Sequence, residues 1–281
     1  MSNDWEANKM AIFTINGVNI YYETFGDKKS ETCIAFFNGV AMTTMNWALI
    51  YPTFEALGWR IILHDFKGQL KSAKPPGPYT FKAHANEAKA LFEHLGVSRV
   101  HIIGISYGGE VAMKFAIAHP EMVASISVIN SVSETDMLLT AFVQNWKTLC
   151  DTKDGEAFFL GMMPSVYGEA FLAQNDEVHV KRAKTMAKIP NEFFEGQKVL
   201  YDTFLSDVYI TDQLHQIKCP ALIICGEKDI LKPPKFSKII ADNIPNAEYL
   251  TLPDCGHAAI FEKPEELKSA ILGFIMKQCL S

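Results

Sequence analysis

Three residues of this chain have types and settings suited to nucleophilic chemistry at a carbonyl carbon. Ser106 stands in Gly104-Ile105-Ser106-Tyr107-Gly108-Gly109, a G-x-S-x-G run directly after the apolar stretch Val100–Ile105 and directly before a helical pattern. A serine on such a strand-to-helix turn has its Oγ lifted clear of the sheet, and small residues two positions either side relieve the crowding. The helix beginning at Gly108 points N–H groups and its positive end toward the same place. A hydroxyl alone is a poor nucleophile. It needs a base, and the base needs a carboxylate to orient it.

His257 is the candidate base. It follows Pro253-Asp254-Cys255-Gly256, after the strand-like Ala247–Leu252, and precedes an amphipathic C-terminal helix. Of the other histidines, His64, His101 and His119 read as strand-end, strand and helix-end residues. The candidate carboxylate is Asp229, in Gly226-Glu227-Lys228-Asp229-Ile230 after the apolar run Ala221–Cys225. Glu227 lies closer to its strand, and Asp254 is too near His257 in sequence to reach its Nδ1. Asp136, beyond the strand ending near Asn130, stays open as the alternative acid. Asp229 and His257 both fall just past the C-terminal ends of predicted strands, where open α/β sheets build their sites.

The elements that must position these residues follow from apolar patterning. Ala11–Ile15 and Val18–Glu23 alternate around Asn16-Gly17, a strong hairpin signal. Cys33–Phe37, Arg60–His64, Val100–Ile105, Ala124–Ile129 and Ala221–Cys225 are continuous apolar runs, which suit strands buried on both faces of a parallel sheet. Helical patterns separate them at Thr44–Leu57, Phe81–Leu95, Gly108–Ala118 and Pro264–Cys279. The alternation predicts an α/β class: a mostly parallel, doubly wound sheet with an antiparallel hairpin at its N-terminal edge.

Residues 133–214 break the alternation. Four or five short helices are expected there, Asp136–Leu149, Gly155–Met163, Gly168–Ala173, Val178–Lys188 and Asn191–Leu205, carrying many Phe and Met residues. Residues 1–132 and 215–281 would then form the sheet domain, and 133–214 a helical cap over a pocket. Trp146, Phe159 and Met163, together with Asn38, are the expected pocket residues.

The 281 residues carry 26 basic and 32 acidic side chains, a net charge of -6, which argues against a broad nucleic-acid footprint. The Lys181-Arg182 and Lys232-Lys235 neighbourhoods read as solvated faces. No window of 18 apolar residues predicts a membrane span. Met1–Lys9 lacks the apolar segment of a secretory signal. The six cysteines form no C-x-x-C pair, and reduced core thiols are expected rather than a disulfide framework. Together these readings predict a cytoplasmic protein, and nothing in them fixes an oligomeric state.

The elbow Gly104–Gly109, the Gly226–Asp229 turn, Gly256-His257 with Phe261 and Pro264 after it, and Asp65-Phe66-Lys67-Gly68 running to Ser72 are similar to the motifs of the α/β-hydrolase superfamily, over nearly the whole chain. The resemblance implies a nucleophile at Ser106, an acid at Asp229 and a base at His257, in that chain order. It also implies a cap between the sixth and seventh strands. The implied oxyanion hole uses the N–H of Tyr107 and, by position, that of Val40. Asn38 stands where the family commonly has His, and Leu70 where it commonly has Gly. The Asn38-Gly39-x-x-x-Thr43-Thr44 segment also resembles the acyltransferase branch that makes hydroxyalkanoyloxy-alkanoate lipids.

The chemistry expected is cleavage of a carboxylic ester, of small to medium apolar substrate, through an acyl-enzyme on Ser106. It needs no metal or organic cofactor. The expected partner is a small-molecule ester or acyl substrate. Two other readings compete: an acyltransferase or thioesterase acting on carrier-bound acyl chains, and a non-catalytic ligand receptor that retains the three residues. The dehalogenases and epoxide hydrolases of the superfamily place Asp at the nucleophile position, so Ser106 argues against both.

Overall fold

A computed structural model describes residues 9–279. The N-terminal segment read for a targeting signal lies, apart from Lys9, outside the described residues. Among them, eight strands form one sheet: β1 (Lys9–Ile15), β2 (Val18–Phe25), β3 (Cys33–Phe37), β4 (Arg60–His64), β5 (Val100–Ile105), β6 (Val123–Ile129), β7 (Ala221–Gly226) and β8 (Ala247–Leu252). Their order is β1-β2-β4-β3-β5-β6-β7-β8. β2 runs antiparallel to β1 and β4, and every later pairing is parallel. The Asn16-Gly17 turn that joins β1 to β2 has φ of 51° and 77°, the left-handed backbone a two-residue hairpin requires.

The unbroken apolar runs divide between two cores with the period of a strand. Along β3, Cys33, Ala35 and Phe37 join the core on one face, and Ile34 and Phe36 the core on the other. Helices α2 (Phe81–His94), α3 (Tyr107–Ala118) and α9 (Pro234–Asn243) cover the first face. α1 (Tyr51–Glu55), α10 (Ala259–Glu262) and α11 (Pro264–Cys279) cover the second. Burying one such Phe contributes about 2 kcal/mol, so shifting a strand by one residue would forfeit both faces at once.

The predicted helix Thr44–Leu57 is instead a 3₁₀ turn, Thr44–Leu49, followed by the short α1. Pro52 is the cause: it has no N–H to give the Ala48 carbonyl, so one continuous helix cannot form. α9 is absent from the sequence reading. Its start is marked by Pro234, which suits a first helical position because its missing N–H would have no partner there.

Between β6 and β7 the chain forms α4 (Met137–Asp151), α5 (Gly155–Val166), α6 (Glu169–Gln174), α7 (Asp176–Met186) and α8 (Asn191–Asp207). Five form, at the positions expected for four or five, with ends shifted by up to three residues. The six cysteines are free, and Cys33, Cys150, Cys225 and Cys255 are buried. Among the described residues, no helix is long and apolar enough to cross a membrane.

Candidate active site

The strand order reverses between β3 and β5, and the residues singled out above gather at the C-terminal ends of these strands and their neighbours. Ser106 has φ 53° and ψ -121°, a backbone conformation rare outside glycine. Its surroundings hold it there. Its N–H donates to the Ile129 carbonyl at 2.8 Å, and its carbonyl accepts from Ser131 Oγ at 2.8 Å. The turn can be this tight only because its flanks are bare. A Cβ on Gly108 would lie 2.1 Å from the Phe37 oxygen, and one on Gly104 2.4 Å from the Gly108 oxygen.

His257 Nε2 lies 3.0 Å from Ser106 Oγ, and its Nδ1 lies 2.7 Å from Asp229 Oδ2. The other Asp229 oxygen accepts the N–H groups of Leu231 (3.0 Å) and Lys232 (2.8 Å), so the carboxylate cannot swing. All three side chains are nearly buried, at 8% exposure for Ser106, 7% for His257 and 2% for Asp229. The rival acids lie elsewhere. Asp136 caps α4 through the Leu139 N–H and pairs with Lys235 at 2.5 Å. Glu227 and Asp254 are exposed.

Three struts fix the loop that carries His257. Asn130, with φ 47° at the end of β6, donates to the carbonyls of Gly256 (3.0 Å) and His257 (2.7 Å) and accepts from the Gly226 N–H (3.0 Å). Glu262 accepts from the N–H groups of Gly256, Ala258 and Gly168. Burial pushes its carboxyl above the usual range, against the pull of those donors. The Val166 carbonyl, at the end of α5, accepts from the N–H groups of both His257 (3.0 Å) and Ala258 (3.1 Å).

The loop after β3 is organised by side chains beneath it. Asn38, expected in the pocket, is instead fully buried below the loop and is not among the cavity-lining residues. Its polar atoms are consumed there: Nδ2 donates to the His64 carbonyl, Asp65 Oδ1 and Gln69 Oε1, and Oδ1 accepts from Trp47 Nε1. Asp65 also receives the N–H groups of Thr44 and Lys71, yet burial pushes its carboxyl up to about 6. Gln69 Nε2 donates to the Gly39 carbonyl at 2.8 Å and, more distantly, to that of Val40. In a trans peptide the N–H points opposite the C=O. Holding the Gly39 carbonyl toward Gln69 therefore turns the Val40 N–H the other way.

A cavity of about 330 Å³ opens onto Ser106 and His257. Trp146, Phe159 and Met163 line it, with Val40, Met42, Phe158, Met162, Tyr167, Arg182 and Phe261 among the rest. A smaller cavity of about 20 Å³ meets Val40, Ser106 and Tyr107 together, with room for about one water.

The family model of the alpha/beta hydrolase fold matches residues 34–264. The chain belongs to that family. The alpha/beta hydrolase MGS-M2, from a Medee basin deep-sea metagenome library, is 30% identical in sequence. It superposes with a TM-score of 0.89 over 94% of this chain and 97% of its own. Est816, an N-acyl homoserine lactone degrading enzyme, is 26% identical with a TM-score of 0.78, over 94% of this chain and all of its own. Among curated sequences, a candidate carbamate hydrolase RutD of Caulobacter sp. (strain K31) is 27% identical over 93% of this chain and 97% of its own.

Within this family frame, two readings of charge need correction. Lys181 is exposed, but Arg182 beside it turns into the cavity wall. Lys232 is buried, at 3% exposure, and pairs with buried Glu110 of α3 at 2.8 Å. Burial pushes the Glu110 carboxyl up despite that partner. Gln69, Asn130 and Glu262 were not singled out by sequence. Each acts through contacts with chain far away, which no local pattern encodes.

Proposed function

We propose that the protein is a serine hydrolase that cleaves a carboxylic ester through an acyl-enzyme on Ser106. The observation that carries this reading is the continuous line from Asp229 through His257 to Ser106, at 2.7 and 3.0 Å, beneath an apolar cavity. His257 takes the proton of Ser106 as its Oγ attacks the carbonyl carbon. Asp229 holds the proton on Nδ1, which leaves Nε2 free to accept. The N–H groups of Val40 and Tyr107, which border the small cavity beside Ser106, stabilise the oxyanion. Removing such a donor typically costs about 3 kcal/mol in the transition state. His257 then protonates the leaving alcohol, and a water activated by the same imidazole frees the acid.

Helices α4–α8 act as the cap. Trp146, Phe159 and Met163 present apolar surface to the substrate, which favours small to medium acyl or alcohol groups. RutD is named for carbamates and Est816 for N-acyl homoserine lactones, both with a carbonyl carbon bearing a heteroatom leaving group. Both classes therefore belong in the substrate panel beside simple esters.

Fluorophosphonate labelling with mass mapping tests the reading. The adduct is expected on Ser106 and is lost in Ser106→Ala. An adduct elsewhere, or unchanged labelling of the alanine variant, overturns the nucleophile. Hydrolysis of 4-nitrophenyl esters from acetate to decanoate then sizes the pocket, and a flat response counts against a selective cap.

A further inference from the structure

Arg182 of α7 lines the same cavity as Ser106 and His257. Its guanidinium is held by aromatic groups. Nη1 donates to the Tyr167 hydroxyl at 2.8 Å, and the guanidinium carbon sits 4.3 Å from the Phe261 ring centre and 5.6 Å from that of Tyr167. Among the described residues, no carboxylate is a partner of this cation. Burial holds the Tyr167 phenol above its ordinary pKa, so it stays neutral and offers no compensating charge. Arg182 is half-buried, and an anion beside a cation partly withdrawn from water offsets its lost hydration. A guanidinium has five N–H donors in a planar fork that fits a carboxylate with two parallel bonds. Tyr167 engages one of its nitrogens, which leaves donors for a ligand.

A second observation points the same way. Lys181 and Lys184 of α7, with Lys188 just past its end, border a surface groove, and Thr185 borders both that groove and the cavity. Among the described residues these lysines make no ion pair. Asp176 and Glu177 border the groove as well, at the first turn of α7. On a chain of net charge -6, unpaired cations next to the cavity would raise the local concentration of an anionic ligand.

We infer that the cavity takes a substrate with an apolar body ending in a carboxylate, and that Arg182 binds that carboxylate while the scissile carbonyl lies at Ser106. The position of the scissile bond rests on the ester-hydrolase reading, whereas the anion site rests on Arg182 and its surroundings. The test compares mono-4-nitrophenyl adipate and suberate with their neutral methyl esters, following 4-nitrophenol release. The expected result is a kcat/KM at least about 10-fold higher for the free acids. Arg182→Gln should bring that ratio to about 1, and Arg182→Lys should keep part of it, since a lysine retains the charge but loses the fork. Equal rates for acid and methyl ester in the wild type overturn the inference, as does an Arg182→Gln variant that keeps the ratio. Calorimetry of free adipate with Ser106→Ala reads the anion site without turnover. Binding weakened at least about 10-fold by adding Arg182→Gln is expected, and no adipate binding to Ser106→Ala overturns the inference. If neither ester is cleaved and fluorophosphonate misses Ser106, the hydrolase reading fails, and the calorimetry decides the anion site separately.

Discussion

Replacing Asp229 by Asn should cost about 10⁴-fold in kcat while leaving KM nearly unchanged, and two backbone bonds decide the direction. Asp229 Oδ1 accepts from the N–H groups of Leu231 and Lys232, and Oδ2 faces His257 Nδ1. An asparagine has one oxygen and one NH₂ to place in those two positions. With the NH₂ toward the backbone donors, both bonds are lost and donors face donors. At about 1 kcal/mol per bond and more for the unsatisfied groups, that orientation is disfavoured by at least 2–3 kcal/mol, or roughly 30- to 150-fold. The oxygen therefore stays on the backbone, and the NH₂ donates to Nδ1.

An imidazole that accepts at Nδ1 carries its proton on Nε2, the atom 3.0 Å from Ser106 Oγ. It cannot then take the serine proton. In serine hydrolases an Asp-to-Asn change at this position, with the geometry kept, costs on the order of 10⁴ in kcat. Steady-state hydrolysis of a 4-nitrophenyl ester gives kcat and KM, and the rate of fluorophosphonate labelling reports the nucleophile directly. Both rates should collapse together. Asp136→Asn is the matched control and should leave both within about twofold, because Asp136 caps α4 and pairs with Lys235 away from His257. An Asp229→Asn variant that keeps a tenth of wild-type kcat would refute the argument.

Other consequences are as direct. Gln69→Met should lower kcat by about 10- to 100-fold with little change in KM, because the donor that holds the Gly39 carbonyl is gone and the Val40 N–H is no longer aimed. A change confined to KM would count against this. Glu110→Gln leaves Lys232 as a buried charge without its partner and should cost about 3–5 kcal/mol, seen as a drop in Tm of about 10 °C by calorimetry. Burial lowers the pKa of His64 to about 3, and both of its ring nitrogens are buried without a partner. Below pH 6.5 the unfolded chain binds a proton there that the folded chain does not. Stability from this residue is full above pH 6.5 and falls by about 1.4 kcal/mol per unit as pH drops toward 3. Urea midpoints of His64→Phe should show a flatter acid limb than wild type by that amount, and parallel limbs would rule it out.

Ser106, His257 and Asp229 were legible because their chemistry is written locally. The strand Val100–Ile105, the glycine-flanked Ser106 and the helix Tyr107–Ala118 follow one another without a break in the chain, and two more strand ends each supply one side chain. Asp136 could be set aside only in three dimensions, since it too follows a strand and only contact shows which carboxylate reaches Nδ1. Asn38 was misplaced because position in the loop does not say which way a side chain turns. Its amide turns down to Asp65 and Gln69, residues 27 and 31 positions later. Arg182 failed for a related reason. On α7 the successive residues Lys181 and Arg182 point about 100° apart, so one basic pair spans solvent and cavity.

The same logic joins the cap to the chemistry. By sequence, Ser106, Asp229 and His257 all lie in the sheet domain, and the helical insertion is only a cover. Yet the backbone of His257 donates to Val166 in α5, and Glu262, beside the same loop, accepts from Gly168 at the start of α6. His257 is therefore held on one side by α5, which lines the cavity, and on the other by Asn130. Under the proposed ester-hydrolase reading, a cap variant that loosens Val166 should therefore lower kcat as well as raise KM, whereas one that only enlarges the pocket at Phe159 should move KM alone, as steady-state kinetics would read.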